Sequence, residues 1–268
     1  MPELRHAALD WRLFLLSGPD CKSFLHGLVT NDVKGLGPGR ELPCCLLSPK
    51  GMMQALLWVY ELDDALLLVS PRECAANLEA ALRKVLPLSE SRFEDASSRW
   101  VVTWVAASEL PTMARRLPFS RLGDSSSLYL VEPAALPEFE AAAGRSLTPA
   151  EFEALRVEHS LPKYGIDVDA STIPLEAGLD WTISYTKGCY MGQETISRIH
   201  HLGHVNRTLV RLRFTGPAPA APAAVTRDGA EIGRLTSAAG GFGLAMLRVE
   251  SAVAGQTVQI AAAAAVIG

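Results

Sequence analysis

The sequence predicts an α+β protein that ends in a small all-β unit, and three observations lead there. Residues 10–69 hold short strand-like runs parted by turn signals. From residue 71 to 85 the apolar spacing switches to every third or fourth position, which is the helical period. Past residue 206 short alternating runs return, broken by Gly and Pro.

In chain order, residues 10–16 read as a strand, and Gly18-Pro19-Asp20 punctuates before a helix over 21–28. Phe24, Leu25 and Leu28 would share one face of that helix, with Asp20 as its N-cap. A strand at 44–47, a Ser48-Pro49-Lys50-Gly51 turn, a strand at 53–60, a turn at Asp63-Asp64 and a strand at 65–69 make two antiparallel hairpins in series. The helix over 71–85 rests on Cys74, Leu78, Leu82 and Val85. Strand-like runs at 100–106 and 127–131, a helical piece between them and another at 149–159 suggest a second subdomain on the same plan. After a short helix at 193–199, strands at 208–214, 225–226, 231–236, 242–247 and 257–263 are spaced as in a small barrel. The expected division is two α+β subdomains over residues 1–205 and a barrel over 206–268.

A formal charge of -4 and a pI near 5.9 argue against a surface built to neutralise nucleic-acid phosphates. The start, Met1-Pro2-Glu3-Leu4-Arg5-His6, lacks the basic-then-apolar order of a secretory leader, and the apolar stretch 260–267 is too short to span a bilayer. A cytoplasmic monomer with no membrane or direct nucleic-acid partner is expected. Five cysteines, an odd number with no C-x-x-C pair, indicate neither a disulfide framework nor a zinc ribbon. Cys44 and Cys45 read as small residues of a buried strand, and Cys21 and Cys74 also read as structural.

Between residues 161 and 207 the chain is dense in Gly, charged and aromatic residues that a core does not need, which is how functional loops look. Gly188 and Gly192 flank Cys189 and Tyr190 and let the backbone turn sharply. Cys189 stands ahead of the helix that Gln193 opens, with Lys187 two residues before it and Arg198 in the following turns. A thiol in such a positive field has its thiolate favoured. His200 and His204 would lie one turn apart on a continuing helix, but Gly203 interrupts it and no acidic third ligand is near, so a solvated turn is the better reading and no metal site is expected.

The run Lys187-Gly188-Cys189-Tyr190-Met191-Gly192-Gln193-Glu194, followed by Arg198, resembles the signature K-G-C-Y-x-G-Q-E-x-x-x-R of the YgfZ family, at every position. Upstream, the run from Ser171 through Glu176 to Thr182 is similar to the pattern of the glycine-cleavage T-protein superfamily in which a glutamate contacts the pterin of tetrahydrofolate. The segment from Phe24 to Val33, with Asn31 and Asp32, resembles the N-terminal motif of that superfamily.

The resemblance implies two α+β subdomains forming a folate crevice, a C-terminal barrel, and a folate-binding accessory protein of iron–sulfur cluster assembly or repair that affects transfer-RNA thiolation indirectly. Its implied partners are folate and iron–sulfur client or assembly proteins. It places Glu176 on the pterin, with Asn31, Asp32, Lys187, Tyr190, Gln193 and Arg198 around the ligand and Cys189 as the reactive thiol. A carboxylate suits the paired donors of an aminopyrimidine edge. Glu176 also reads as a cap or ion pair, Asn31 and Asp32 as a turn, and Trp181, Tyr185 and Tyr190 as core packing or ring stacking alike. In one respect the chain departs from aminomethyltransferases: where they carry an aspartate after the Gly51-type turn, it reads Met52-Met53-Gln54-Ala55. That disfavours glycine cleavage itself. The alternative is a folate-dependent one-carbon transferase in which another group replaces the missing acid.

Overall fold

The computed structural model describes residues 4–107, 109, 110, 114–123 and 125–268. The first three residues, on which part of the leader reading rests, lie outside that set. Chain contacts divide the protein into two compact units, Met1–Leu147 with Trp181–Gln193, and Thr148–Asp180 with Glu194–Gly268.

The first unit opens with β1 (Arg5–Leu9) and β2 (Trp11–Ser17), followed by α1 (Cys21–His26) and the meander β3 (Leu42–Leu47), β4 (Met53–Leu62) and β5 (Ala65–Pro71). Next come α2 (Arg72–Val85), β6 (Arg92–Asp95), β7 (Val101–Val105), β8 (Arg115–Pro118), β9 (Ser127–Val131), α3 (Leu136–Ala142) and β10 (Arg145–Ser146). They form two five-stranded sheets, ordered β3-β4-β5-β2-β6 and β10-β1-β7-β9-β8. β4 is central in sequence character, an almost unbroken apolar run buried on both faces, and α2 covers its sheet with Cys74, Ala75, Leu78 and Leu82. The second sheet packs Val105, Leu110, Tyr129, Val131 and Phe139 into one cluster, where the Leu110 amide donates to the Tyr129 hydroxyl at 2.9 Å.

In the second unit α4 (Pro149–Glu158) starts on a reciprocal cap between Thr148 and Glu151, with Pro149 at its first position. α5 (Gln193–Leu202) begins at the last residue of the first unit. Six strands then close a barrel: β11 (Arg207–Phe214), β12 (Ala223–Arg227), β13 (Ala230–Ala239), β14 (Phe242–Arg248), β15 (Thr257–Ile260) and β16 (Ala263–Ile267), in the order β11-β14-β13-β12-β15-β16. Leu212, Val225, Leu235, Ala245, Leu247, Val258, Ile260 and Ala265 fill it.

The α+β class and the C-terminal barrel are as expected, and several elements differ in detail. The helical piece expected between 106 and 127 falls partly outside the described residues, and of those described 115–118 form strand β8. The strand expected over 257–263 is a hairpin, turned at Ala261 with φ 51°. Asp20 sits at the N-cap of α1 without capping it, because its carboxylate accepts instead from Ser89 Oγ, the Glu90 amide and Ser91 Oγ. Those bonds, Ser91 foremost, hold its carboxyl below the usual range. The buried face of α1 is Cys21 and Leu25, not Phe24 and Leu28. No described helix is long and apolar enough to cross a membrane.

Candidate functional site

In the first unit the segment after Trp181 is fastened to β3 by one threonine pair. Thr30 Oγ1 donates to the Thr182 carbonyl at 2.6 Å and accepts from the Cys45 amide at 2.8 Å, while the Ser184 amide donates to the Thr30 carbonyl at 3.0 Å. Trp181 lies beside Trp58 with Arg121 over its ring at 4.4 Å, so its faces are engaged by protein.

Lys187 and Gly192 then fix the loop that carries Cys189. The Lys187 ammonium donates to the carbonyls of His26, of Val29 at 2.7 Å and of Asn31 at 3.2 Å, so all three of its donors are committed where α1 ends. Burial lowers its pKa to about 8, with Cys44 and Asp32 pulling back up. Gly192 has φ +82°, and a Cβ there would lie 2.5 Å from the Ser48 carbonyl oxygen and 3.1 Å from Gly51 Cα. No other residue lets the loop press so close on the β3–β4 turn.

Cys189 is exposed between these anchors, and Met191 and Tyr185 of the same segment are also exposed. It stands four positions before α5 begins at Gln193, whose amide donates to the Tyr190 carbonyl at 3.2 Å. Tyr190 is buried, with the Lys187 ammonium 5.0 Å from its ring centre, and burial raises its phenol to about 12. Tyr190 is therefore a packing residue of the loop.

The structure brings Lys187 together with Asn31 and Tyr190. Asn31 Nδ2 donates to the Pro43 carbonyl at 2.9 Å, its Oδ1 accepts from the Asp32 amide at 2.9 Å, and Asp32 Oδ1 accepts from the Gly35 amide at 3.2 Å. They form the turn that the sequence offered as an alternative to ligand contact. A residue that sequence reasoning passed over lies here too: His26 Nδ1 is 3.3 Å from Asp32 Oδ1, and a Cβ on Gly188 would be 3.9 Å from its Nε2. Burial first, then Lys187, lowers its pKa, against Asp32. Its only sequence signal was its place inside the N-terminal motif.

Glu176 belongs to the second unit, as does Arg198, which is exposed. Glu176 is buried in the short 3-10 turn Pro174–Ala177, where Oε2 accepts from the Ile173 amide at 3.0 Å. Arg207 grips the same carboxylate, Nε to Oε1 at 3.0 Å and Nη2 to Oε2 at 3.2 Å. Cap and ion pair are thus both present, and Arg207 is the partner that sequence reasoning did not identify. α5 ends at Leu202, so His204 lies beyond it, and no group of potential metal ligands occurs among the described residues.

Residues 206–267 match the family model described as CAF17, C-terminal beta-barrel domain. Over 230 residues the chain is 30% identical to the iron-sulfur cluster assembly factor IBA57 homolog, mitochondrial, of Mycosarcoma maydis, covering 78% of this chain and 57% of that one. It thus spans little more than half of that relative. It is 28% identical over 239 residues to the tRNA-modifying protein YgfZ of Yersinia pestis (strain Pestoides F), covering 80% and 72% of the two chains. Among solved structures, the glycine cleavage system aminomethyltransferase T from Bartonella henselae matches with a TM-score of 0.87 at 19% identity, over 99% of this chain and 84% of that one. At that identity the likeness shows a shared fold.

Proposed function

We propose that this chain, which is similar in sequence to YgfZ and IBA57 proteins and shares the fold of a glycine cleavage T-protein, is an accessory protein of iron–sulfur cluster assembly or repair, working through the thiol of Cys189. The observation that carries this is the contrast among thiols: Cys189 is exposed on an anchored loop, while Cys21, Cys44, Cys45 and Cys74 are buried. Lys187 and Gly192 hold the loop's two ends, so the thiol is presented and not merely tethered. One thiolate does not hold a cluster that needs about four ligands, so Cys189 acts as a transient ligand to a cluster whose other ligands a partner supplies. Effects on transfer-RNA thiolation follow through iron–sulfur client enzymes.

Tetrahydrofolate enters this reading from the family alone. Glu176 does not fit a pterin edge as it stands, since Arg207 and the Ile173 amide already occupy both oxygens. Asn31 and Lys187 are likewise committed. The proposed role of Cys189 therefore has no step that runs through folate, and calorimetric titration with tetrahydrofolate decides whether it binds.

The T-protein fold favours one second reading, folate-dependent one-carbon transfer. Gln54, whose Nε2 donates to the Met53 carbonyl at 3.1 Å, lies in the stretch after the Gly51 turn where the resemblance puts an acid. Multiple turnovers with tetrahydrofolate and a methylene donor would establish that reading and displace the first. The leading proposal is tested in cells lacking the native counterpart: Cys189→Ala is expected to fold with an unchanged melting temperature and yet not restore iron–sulfur enzyme activity. Full complementation by the variant would overturn it.

A further inference from the structure

The outer face of the barrel gathers arginines. Arg207 on β11 lies directly opposite Arg248 on β14, and on the other side of β14 Met246 lies opposite Arg234 of β13. Leu247 is buried inside, so Met246 and Arg248, its neighbours along the strand, point outward with their cross-strand partners. Like charges directly opposite on an antiparallel pair destabilise it. Arg207 is paired with Glu176, but the side chains of Arg234 and Arg248 have neither ion pair nor hydrogen bond among the described residues.

All three line one concavity of about 860 Å³, walled by the loop over residues 165–172 and by the barrel strands. Gly233, Thr236 and Met246 also line it. The acids around it are mostly engaged. Asp167 accepts from Arg156, Thr236 and Ser237, Glu153 is bound by Arg156, and Asp169 accepts from Ser171 and Thr172. Asp169 and Glu231 are the exposed acids of the lining.

We propose that this pocket binds a small organic anion, its carboxylate or phosphate group held by Arg234 and Arg248. Planar guanidinium forks match either group, and both arginines are free to turn to it. The volume is that of a site for a small molecule and exceeds what an inorganic ion fills. Asp169 and Glu231 add acceptors, so the body of the ligand is neutral or carries N–H or O–H donors. This site does not rest on the cluster-assembly reading, and Cys189 variants leave it unchanged.

The test is calorimetric titration of the full chain with citrate and, separately, pyrophosphate at low ionic strength. At least one is expected to bind saturably, and which one binds distinguishes the carboxylate from the phosphate source. Arg234→Ala and Arg248→Ala are each expected to weaken binding roughly fivefold or more, and salt near 0.3 M to weaken it further. Arg213→Ala, on the same barrel but outside the pocket lining, is expected to bind as the parent protein does. Circular dichroism melts confirm that the variants fold. Three results would overturn the proposal: no binding of either probe at millimolar concentration, unchanged binding after both pocket substitutions, or equal weakening by Arg213→Ala.

Discussion

A thiol reacts as its thiolate and only where a reagent reaches it, and the five cysteines divide on both counts. Burial raises Cys44 far above the ordinary thiol range, takes Cys45 to about 12, and raises Cys21 and Cys74 as well, while Cys189 is exposed. Limiting iodoacetamide at neutral pH is therefore expected to label Cys189 first, as peptide mass mapping would show; earlier labelling of any other cysteine would contradict the assignment. Lys187 makes a second case. Replacing it with Met leaves three carbonyls at the end of α1 without their donor, an expected loss of about 1–3 kcal/mol in urea unfolding. Its pKa, about 8 when folded against an ordinary 10.5, adds a pH signature. Between those values the unfolded chain binds more protons than the folded one, so stability due to Lys187 rises with pH across the window and falls as pH drops through 8. The stability gap between the parent protein and Lys187→Met is expected to widen from neutral pH to about pH 10, by on the order of 1 kcal/mol given the residue's partial exposure. Sequence showed that Cys189 lies among glycines and cations, but not where a flexible four-carbon side chain ends, so the commitment of Lys187 to carbonyls was hidden. The same holds for Glu176, whose partner Arg207 is remote in sequence and becomes visible only when the chain folds.

Two elements hold their surroundings in place by means that substitution can expose. Gly192→Ala puts a Cβ against the Ser48 carbonyl in a backbone conformation that L-residues avoid, whereas Gly188 has no atom nearer than 3.9 Å to its added Cβ. Gly192→Ala is expected to cost about 1–3 kcal/mol and Gly188→Ala under about 1 kcal/mol, measured as denaturation midpoints. Equal losses would mean that the close approach does not shape the loop. In the second unit, Arg156 of α4 reaches Asp167 at 2.7 Å and Ser237 of β13 at 2.8 Å, with both charges nearly removed from solvent. Asp167→Asn leaves that guanidinium with Glu153 as its remaining counter-charge and is expected to destabilise by about 1–3 kcal/mol in thermal unfolding. Elements with strong periodicity, the β3–β4–β5 meander and α2, were legible because each buries a regular face. β1 was not, since Asp10 is the sole break between it and β2, and the change of sheet there leaves no local mark. The β15–β16 turn was missed because Ala261 takes a left-handed conformation without a Gly or Asn to announce it.

Over the whole molecule, the first unit is not continuous in sequence: it is built from Met1–Leu147 and closed by Trp181–Gln193. The returning segment brings Thr182 to Thr30 and Lys187 to the end of α1, contacts that the earlier residues cannot replace. A fragment of residues 1–147 keeps every strand of both sheets but is expected to melt several degrees below the same fragment with 181–193 joined by a flexible linker. Identical melts would show the segment to be a passenger on the unit. The arrangement also sets an order of events on the ribosome. Both sheets can emerge and pair while the thiol is still unmade, and the stretch from Thr148 to Asp180 must leave the exit tunnel before the final strip of the first unit does. Cys189 is thus among the last residues of its unit to be translated, and a nascent chain stalled before it has a paired scaffold whose exposed thiol is still missing.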